Sequence, residues 1–327
     1  MSMTKPSRSN YLPELRTVLI LGIPSLLGLA LVFSFIYVRY SPPPINAALA
    51  KISQNYRVLD DTKNGFYFLR GLDVASNLDP FSTGLKISQA EMKRFAEDPI
   101  AYESTEHSDG VARLQSITWT LNRCADIRGN CLDQDLQQRA AIEKNLQQNS
   151  VLFERYAALK TYPEFEEHVP ASYNFATIPY RLLGQINDMR AVSAAFHILD
   201  GEVEHGLSIL EDDFSFQRHF LRYSGTNLSR IVALKILERK ARTINDFISL
   251  RPKLASQHRA RLIALLAPLN KEERDLSAVL AHLNQYREKL SPEDYSRYLK
   301  RSQEIDTYLQ RIRSQIQSSQ VDGIQKQ

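Results

Sequence analysis

The chain has 327 residues, of which 43% are hydrophobic and 24% are charged. This balance is typical of one large or two ordinary globular domains and excludes a fibrous or wholly disordered protein. The net charge is +4, but residues 1–40 contribute four basic side chains and one acidic side chain to it. The remainder of the chain is close to neutral, so we expect no nucleic-acid partner.

An uncharged run of 21 residues, 18–38, lies near the N-terminus between Arg16 and Arg39. A helix of this length spans roughly 30 Å, so the run predicts a single transmembrane helix that anchors the chain in the lipid bilayer. The alternative is a cleaved signal peptide, which would make the protein secreted. Signal-peptide cores usually have only about 7 to 15 apolar residues, and residues 42–44 are prolines that separate the run from a candidate cleavage site at 48–50.

The basic residues around this run predict its orientation. Lys5, Arg8 and Arg16 precede the run, whereas only Arg39 and Lys51 follow it closely. Because cytoplasmic flanks carry such an excess, we expect the N-terminus to lie inside the cytoplasmic (inner) membrane and the body outside it. In a Gram-negative bacterium the body would be periplasmic.

Cys124 and Cys131 are the only cysteines of the chain. The intervening Gly129 and Asn130 can reverse the chain direction, so the pair predicts a disulfide. Two neighbouring cysteines in an otherwise cysteine-free chain are typical of an oxidising compartment, which agrees with an extracytoplasmic body. We expect no zinc site here, since no further thiolate or imidazole follows at a suitable spacing.

Apolar residues recur at intervals of three and four along the body, and no run alternates with period two. This pattern predicts an all-α fold, and the short connections predict antiparallel helical hairpins. We divide the chain into a short cytoplasmic tail (1–17), the transmembrane helix (18–38), a proline-rich spacer (39–45), an N-terminal helical and loop region with the cysteine pair (46–132), a central helical body (133–270) and a C-terminal antiparallel helical hairpin (271–327).

The first elements of the body are indicated by local signals. Pro80 and Gly84 predict a loop, and Ser88 with Glu91 has the capping-box pattern of a helix start. Pro99 should end that helix after about two turns. The polar stretch around and beyond this proline is expected to be the least ordered part of the body.

The rest of the body predicts a succession of helices. A long helix is expected over residues 133–162, because its apolar residues lie on one side and its glutamines on the other. Asn270 with Glu273, and Pro292, are well-formed helix starts. Further helices are expected over 178–199, 202–211, 214–223, 227–250, 252–266, 271–289 and 292–318.

Residues 191–214, AVSAAFHILDGEVEHGLSILEDDF, contain small residues, a glycine turn at Gly201 and then Val203, Gly206 and Leu207. This segment resembles the middle of one tetratricopeptide unit, although the usual tyrosines of that family are missing. The resemblance implies a degenerate stack of helical repeats and binding of a peptide or protein on a concave surface. A generic helical hairpin gives the same pattern and remains the alternative.

We expect no metal, no cofactor and no catalytic residue. Glu202 and His205 form one Glu-x-x-His pair, whereas di-iron bundles need two. No Gly-x-Ser-x-Gly, phosphate-loop or His-Glu-x-x-His motif is present. The absence of these motifs favours a protein that is not an enzyme.

Acidic and basic residues are unevenly distributed in the body. Residues 41–213 contain 16 basic and 25 acidic side chains, whereas residues 214–270 contain 11 basic and 2 acidic ones. The basic segment includes a set of five residues that we call the basic stripe: Arg218, Arg222, Lys235, Arg239 and Arg242.

The basic stripe has helical spacing, and we expect it to lie opposite an apolar side formed by Leu228, Ile231, Leu234, Leu237, Ile244 and Ile248. One interpretation is a solvated face that the preceding acidic segment partly neutralises. The other is a docking site for an anionic partner, such as lipid headgroups, envelope phosphates or an acidic protein.

These observations together predict a single-pass, membrane-anchored helical protein that acts as a non-enzymatic interaction or scaffold module in the cell envelope. Anchoring would raise its effective concentration near its partner. An envelope hydrolase with an unrecognised acidic active site is the alternative.

Overall fold

The computed structural model describes residues 61–98, 109–114, 131–167, 178–275 and 292–318. All of them belong to one compact unit, Ala48–Gln327. Within these ranges the chain has no β-strand, only isolated bridges between Asn64 and Glu164 and between Val74 and Arg113. The all-α prediction is confirmed.

Two predictions made from the sequence fall outside the described ranges. The proposed transmembrane helix, residues 18–38, is not among them, and no helix within them is long and apolar enough to cross a membrane. Cys131 is described, whereas Cys124 is not, and no disulfide is recorded within the described ranges. The anchor and the disulfide therefore stay predictions.

The described helices centre on three long ones. We number them α1 (Gly65–Arg70), α2 (Pro80–Glu97), α3 (Cys131–Gln137), α4 (Arg139–Gln148), α5 (Ser150–Leu159), α6 (Tyr180–Leu199), α7 (Val203–Tyr223), α8 (Asn227–Leu250), α9 (Pro252–Gln257), α10 (Arg259–Leu265), α11 (Lys271–Arg274) and α12 (Pro292–Ser318). Helices α6, α7 and α8 each pack against the other two, and α12 packs against α8 and α10.

Helices α6 and α7 form a hairpin that contains the tetratricopeptide-like segment. Gly201, with a φ of +93°, makes the turn in a conformation that favours glycine. A Cβ on Gly206 would lie 2.5 Å from the carbonyl oxygen of Ala194, so the two helices approach closely there. The helices have 20 and 21 residues, which together exceed the roughly 34 residues of a tetratricopeptide unit. The hairpin is confirmed, and its lengths match the generic alternative better than the repeat.

Helix α7 runs without a break through the region where the sequence predicted two helices. The prediction ended the first helix at Glu211, before the pair Asp212 and Asp213 and the following Phe214. Asp213 is fully buried on the same side of the helix as Leu210 and Phe214. The helix continues because basic side chains of neighbouring elements neutralise the buried carboxylate, as described below.

The long helix predicted over residues 133–162 is interrupted twice, at Gln138 and at Asn149. Asn149 is buried, and its side-chain amide donates to the carbonyl of Asn145 at 2.7 Å. Asparagine side chains compete with the helical backbone for hydrogen bonds in this way. Similarly, the helix predicted over 252–266 is interrupted at His258.

Helix α2 begins nine residues before the predicted start, since its N-cap is Asp79 and not Ser88. Asp79 caps it by accepting from the backbone N–H of Ser82 at 2.7 Å, and Pro80 takes the first helical position. Ser88 lies inside the helix and donates to the carbonyl of Gly84. The predicted loop at Pro80 and Gly84 was therefore wrong, whereas the helix does end before Pro99, at Glu97.

The start of the C-terminal region matches the sequence prediction. Asn270 and Glu273 form both hydrogen bonds of a capping box. Helix α11 nevertheless ends at Arg274, and residues 276–291, the rest of the predicted first arm, lie outside the described ranges. Helix α12 has the predicted bounds, and its apolar stripe is buried: Ile305, Leu309, Ile312 and Ile316.

Candidate functional site

The basic stripe is largely paired with carboxylates of the fold. The guanidinium of Arg218 makes a two-pronged ion pair with Glu273, at 2.8 and 2.7 Å, and donates to the carbonyls of Ala267 and Pro268. Arg222 lies 3.1 Å from the exposed Glu272. These two arginines therefore attach α7 to the segment before and within α11.

The part of the stripe on α8 is paired as well. Arg239 donates to Asp188 of α6 at 2.8 Å, and Arg242 donates to Glu238 on its own helix. In contrast, Lys235 is exposed to solvent. Four residues of the basic stripe thus pair with four different carboxylates, whereas Lys235 faces outward.

The sequence analysis predicted that Leu228 lies opposite the basic stripe. This part of the prediction was wrong. Leu228 precedes Lys235 by two helical turns, which places both on one side of α8. The side chain of Leu228 is 60% exposed. Val232 lies between them and is half-buried. We call Leu228, Val232 and Lys235 the α8 outer face.

A cluster of five charged residues lies where α6 and α7 meet α8, and the sequence analysis missed it. Asp213 of α7 is fully buried and accepts from the Nζ of Lys240 of α8, which is equally buried, at 2.9 Å. The Nε of Arg190 of α6 lies 2.9 Å from both carboxylate oxygens. Lys160, just after α5, contacts both Asp213 and the exposed Asp212. We call these residues the Asp213 cluster.

The aromatic ring of Tyr156 closes one side of this cluster. The Nζ of Lys160 and the guanidinium carbon of Arg190 lie 5.1 and 5.4 Å from the ring centroid, as in cation–π contacts. The Tyr156 hydroxyl donates to the side-chain oxygen of Asn187 at 2.9 Å. Among the described residues, the Oε1 atom of buried Gln217 nearby has no hydrogen-bond partner.

The cations of the cluster keep Asp213 ionised. Burial by itself raises the pKa of Asp213, but the charges of Lys240 and Arg190 outweigh burial and hold the pKa below its usual range. Burial also raises the pKa of Tyr156 well above that of an exposed tyrosine, so Tyr156 stays protonated. The cluster can therefore hold charge in the interior, but Asp213 has no proton to donate at neutral pH.

One signal in the sequence could have revealed the cluster. Lys240 follows Ile236 by four residues and precedes Ile244 by four, so it occupies the apolar side of α8. A lysine at such a position needs a buried carboxylate to neutralise it. The partner, Asp213, is 27 residues away on another helix, so spacing alone could not identify it.

A second buried carboxylate, that of Glu167, forms hydrogen bonds with residues at the starts of both α6 and α8. It accepts hydrogen bonds from the hydroxyls of Tyr180, Thr226 and Ser229, and from the backbone N–H of Thr226. Burial raises the pKa of Glu167 despite these four donors. None of the four carries a charge, which distinguishes this site from the Asp213 cluster.

We expect the substitution Glu167→Gln to change the pH dependence of stability. Because the pKa of Glu167 is raised on folding, the stability it contributes is complete below about pH 4.5 and is lost as the pH rises through the folded-state pKa. Glutamine does not titrate, so the variant should gain stability relative to the parent as the pH rises. Urea unfolding at a series of pH values measures this difference, and a difference independent of pH would contradict the prediction.

The Glu-x-x-His pair forms a small surface cluster. The Nδ1 of His197 lies 2.6 Å from the carboxylate of Glu202, and the rings of His197 and His205 are 4.4 Å apart. Within the described ranges no group of three or more histidine, cysteine or acidic side chains is arranged to hold a metal ion.

Comparison of the chain with protein families, with curated proteins and with solved structures found no match.

Proposed function

We propose that this chain is a single-pass, membrane-anchored helical protein that acts in the cell envelope without catalysis, by binding a protein or another anionic envelope component. The observation that carries the proposal is the α8 outer face, where exposed Leu228 and exposed Lys235 lie on one side of a 24-residue helix. Within the described ranges Lys235 forms no ion pair, and an acidic partner with apolar residues can cover this cation together with the apolar side chain beside it.

The partners of the buried carboxylates support binding over hydrolysis. An acidic active site needs carboxylates that can reach a substrate. Asp213 is held by Lys240 and Arg190, and Glu273 is held by Arg218. Glu167 accepts four hydrogen bonds from the fold. These groups stabilise the helix packing, which argues against the alternative of an envelope hydrolase.

Charge reversal on the α8 outer face tests the proposal. We expect Lys235→Glu in the full-length, membrane-anchored chain to lower recovery of its crosslinked envelope partner about tenfold, which corresponds to about 1.4 kcal/mol. The matched control is Lys253→Glu, which reverses another exposed lysine, on α9. Equal recovery with both variants, quantified by mass spectrometry, would contradict a binding role for this face.

The anchor and the compartment are part of the same proposal. The uncharged run 18–38 supports a transmembrane helix with the N-terminus inside, and the spacing of Cys124 and Cys131 supports a disulfide in an oxidising compartment. We expect the chain to stay in the membrane fraction at alkaline pH. Non-reducing mass spectrometry should give the mass of the oxidised cysteine pair, whereas two thiols would contradict the extracytoplasmic location.

A further inference from the structure

We propose that Lys160 and Arg190, above the ring of Tyr156, form a binding site for a phosphate-type oxyanion, and that the carboxylate of Asp212 takes the place of this anion in the structure. This site lies at the outer edge of the Asp213 cluster and does not include the α8 outer face. Its test is therefore independent of the partner-binding proposal.

Positive charges outnumber negative ones in the Asp213 cluster. Lys160, Arg190 and Lys240 carry three positive charges, whereas Asp212 and Asp213 carry two negative ones. Asp213 and Lys240 neutralise each other at 2.9 Å inside the core. The two outer cations then face one additional carboxylate, so a dianion would match their charge better than Asp212 does.

The two outer cations are partly accessible to solvent. The side chains of Lys160 and Arg190 are 10% and 18% exposed, whereas Asp213 and Lys240 are buried. Asp212 is 57% exposed, and its carboxylate contacts Lys160 and lies 3.8 Å from the Nη2 of Arg190. An anion can therefore reach them by displacing one surface carboxylate, without opening the helix packing.

Arg190 has hydrogen-bond donors that the described part of the fold does not use. Its Nε is bound to Asp213, whereas its Nη2 lies 3.8 Å from Asp212, beyond hydrogen-bonding distance. Within the described ranges, the two terminal nitrogens of this guanidinium donate no hydrogen bond to the protein. They are fixed in direction by the bond at Nε, and such prearranged donors recognise phosphate oxygens well.

The test is a titration of the full-length protein, purified in detergent, with inorganic phosphate at constant ionic strength, followed by calorimetry. We expect saturable binding that Lys160→Gln weakens about tenfold and that Asp212→Asn strengthens several-fold, since a competing carboxylate is removed. The control is Arg139→Gln, which also removes one positive charge, from an arginine paired with Glu143 and Asp200. This control should bind phosphate as the parent does.

Two further ligands separate the possible sources of the anion. Tighter binding of glycerol phosphate, a soluble monoester dianion, would indicate a free phosphate ester. Tighter binding of short-chain phosphatidic acid, a lipid with the same phosphate monoester group, would indicate a lipid headgroup. The proposal is overturned if phosphate shows no saturable binding, if Arg139→Gln weakens binding as much as Lys160→Gln, or if Asp212→Asn fails to strengthen it. Because Asp212 is exposed, its variant tests the site even if Lys160→Gln does not fold.

Discussion

Replacing Asp213 by alanine should destabilise the fold by about 3 to 5 kcal/mol, because it leaves the buried charge of Lys240 without its partner. Arg190 also loses the acceptor of its Nε, although its side chain is 18% exposed. The change in the free energy of unfolding can be measured by urea unfolding of the full-length chain, followed by far-ultraviolet circular dichroism. We regard this residue as the electrostatic centre of the α6, α7 and α8 packing.

The neighbouring Asp212 provides a matched control. It is the same residue type on the same helix and also contacts Lys160, but its side chain is 57% exposed. Exposed ion pairs contribute about 0 to 1 kcal/mol, so Asp212→Ala should change stability little. The double variant Asp213→Ala with Lys240→Met should recover part of the loss, because the unpaired buried charge is gone. Equal losses for the two aspartates would contradict the role given to the cluster.

Replacing Gly84 by alanine should destabilise the packing of α1 on α2 by about 1 to 3 kcal/mol or more. A Cβ on Gly84 would lie 1.8 Å from the carbonyl oxygen of Tyr67 and 2.9 Å from the backbone nitrogen of Gly71. Both atoms are backbone, so neither can move without shifting α1 or its C-terminal end. The same unfolding measurement detects the loss.

Gly184 in α6 is the control for this substitution. A Cβ there would meet the Nη2 of Arg239 at 2.8 Å, but no other atom within 3.4 Å, and Arg239 is a flexible side chain. The side chain of Arg239 is 39% exposed, so its ion pair with Asp188 contributes little to the free energy of unfolding. Alanine gains about 1 kcal/mol of helix propensity over glycine, so Gly184→Ala should be neutral or slightly stabilising. A larger loss at Gly184 than at Gly84 would contradict the packing argument.

The elements predicted well from the sequence are those whose ends carry strong local signals. Helix α8 has the predicted bounds, and Thr226 caps it by accepting from the backbone N–H of Ser229. Asn270 and Glu273 form the predicted capping box, and α12 starts at Pro292 as expected. In each case the residues that determine the helix end lie within a few positions of one another, so the sequence pattern alone predicts it.

The predictions failed where distant residues decide the structure. Gly84 was interpreted as part of a loop, but it lies inside α2 because Tyr67 packs directly against it. The pair Asp212 and Asp213 looked like a helix end, but Lys240 and Arg190 allow α7 to continue. Such contacts connect residues that the chain separates by 17 to 27 positions, and periodicity contains no information about them.

Contacts between distant residues also explain part of the uneven distribution of acidic and basic residues in the body. Asp188, Asp213 and Glu211 of the acidic half are paired with Arg239, Lys240 and Arg261 of the basic half, respectively. Arg218, Arg222 and Arg242 of the basic stripe pair instead with Glu273, Glu272 and Glu238, which lie outside the acidic half. The docking role stays a proposal for the α8 outer face.

Site-specific photo-crosslinking tests the central claim, that the α8 outer face binds a partner, most directly. A photoreactive residue would replace Leu228 or Val232 in the full-length anchored chain, and the control would carry it at Ser249, an exposed position on the same helix. We expect one discrete adduct from positions 228 and 232 that Lys235→Glu abolishes and that does not form from position 249. Adducts of equal yield from all three positions, or none from 228 and 232, would contradict the account.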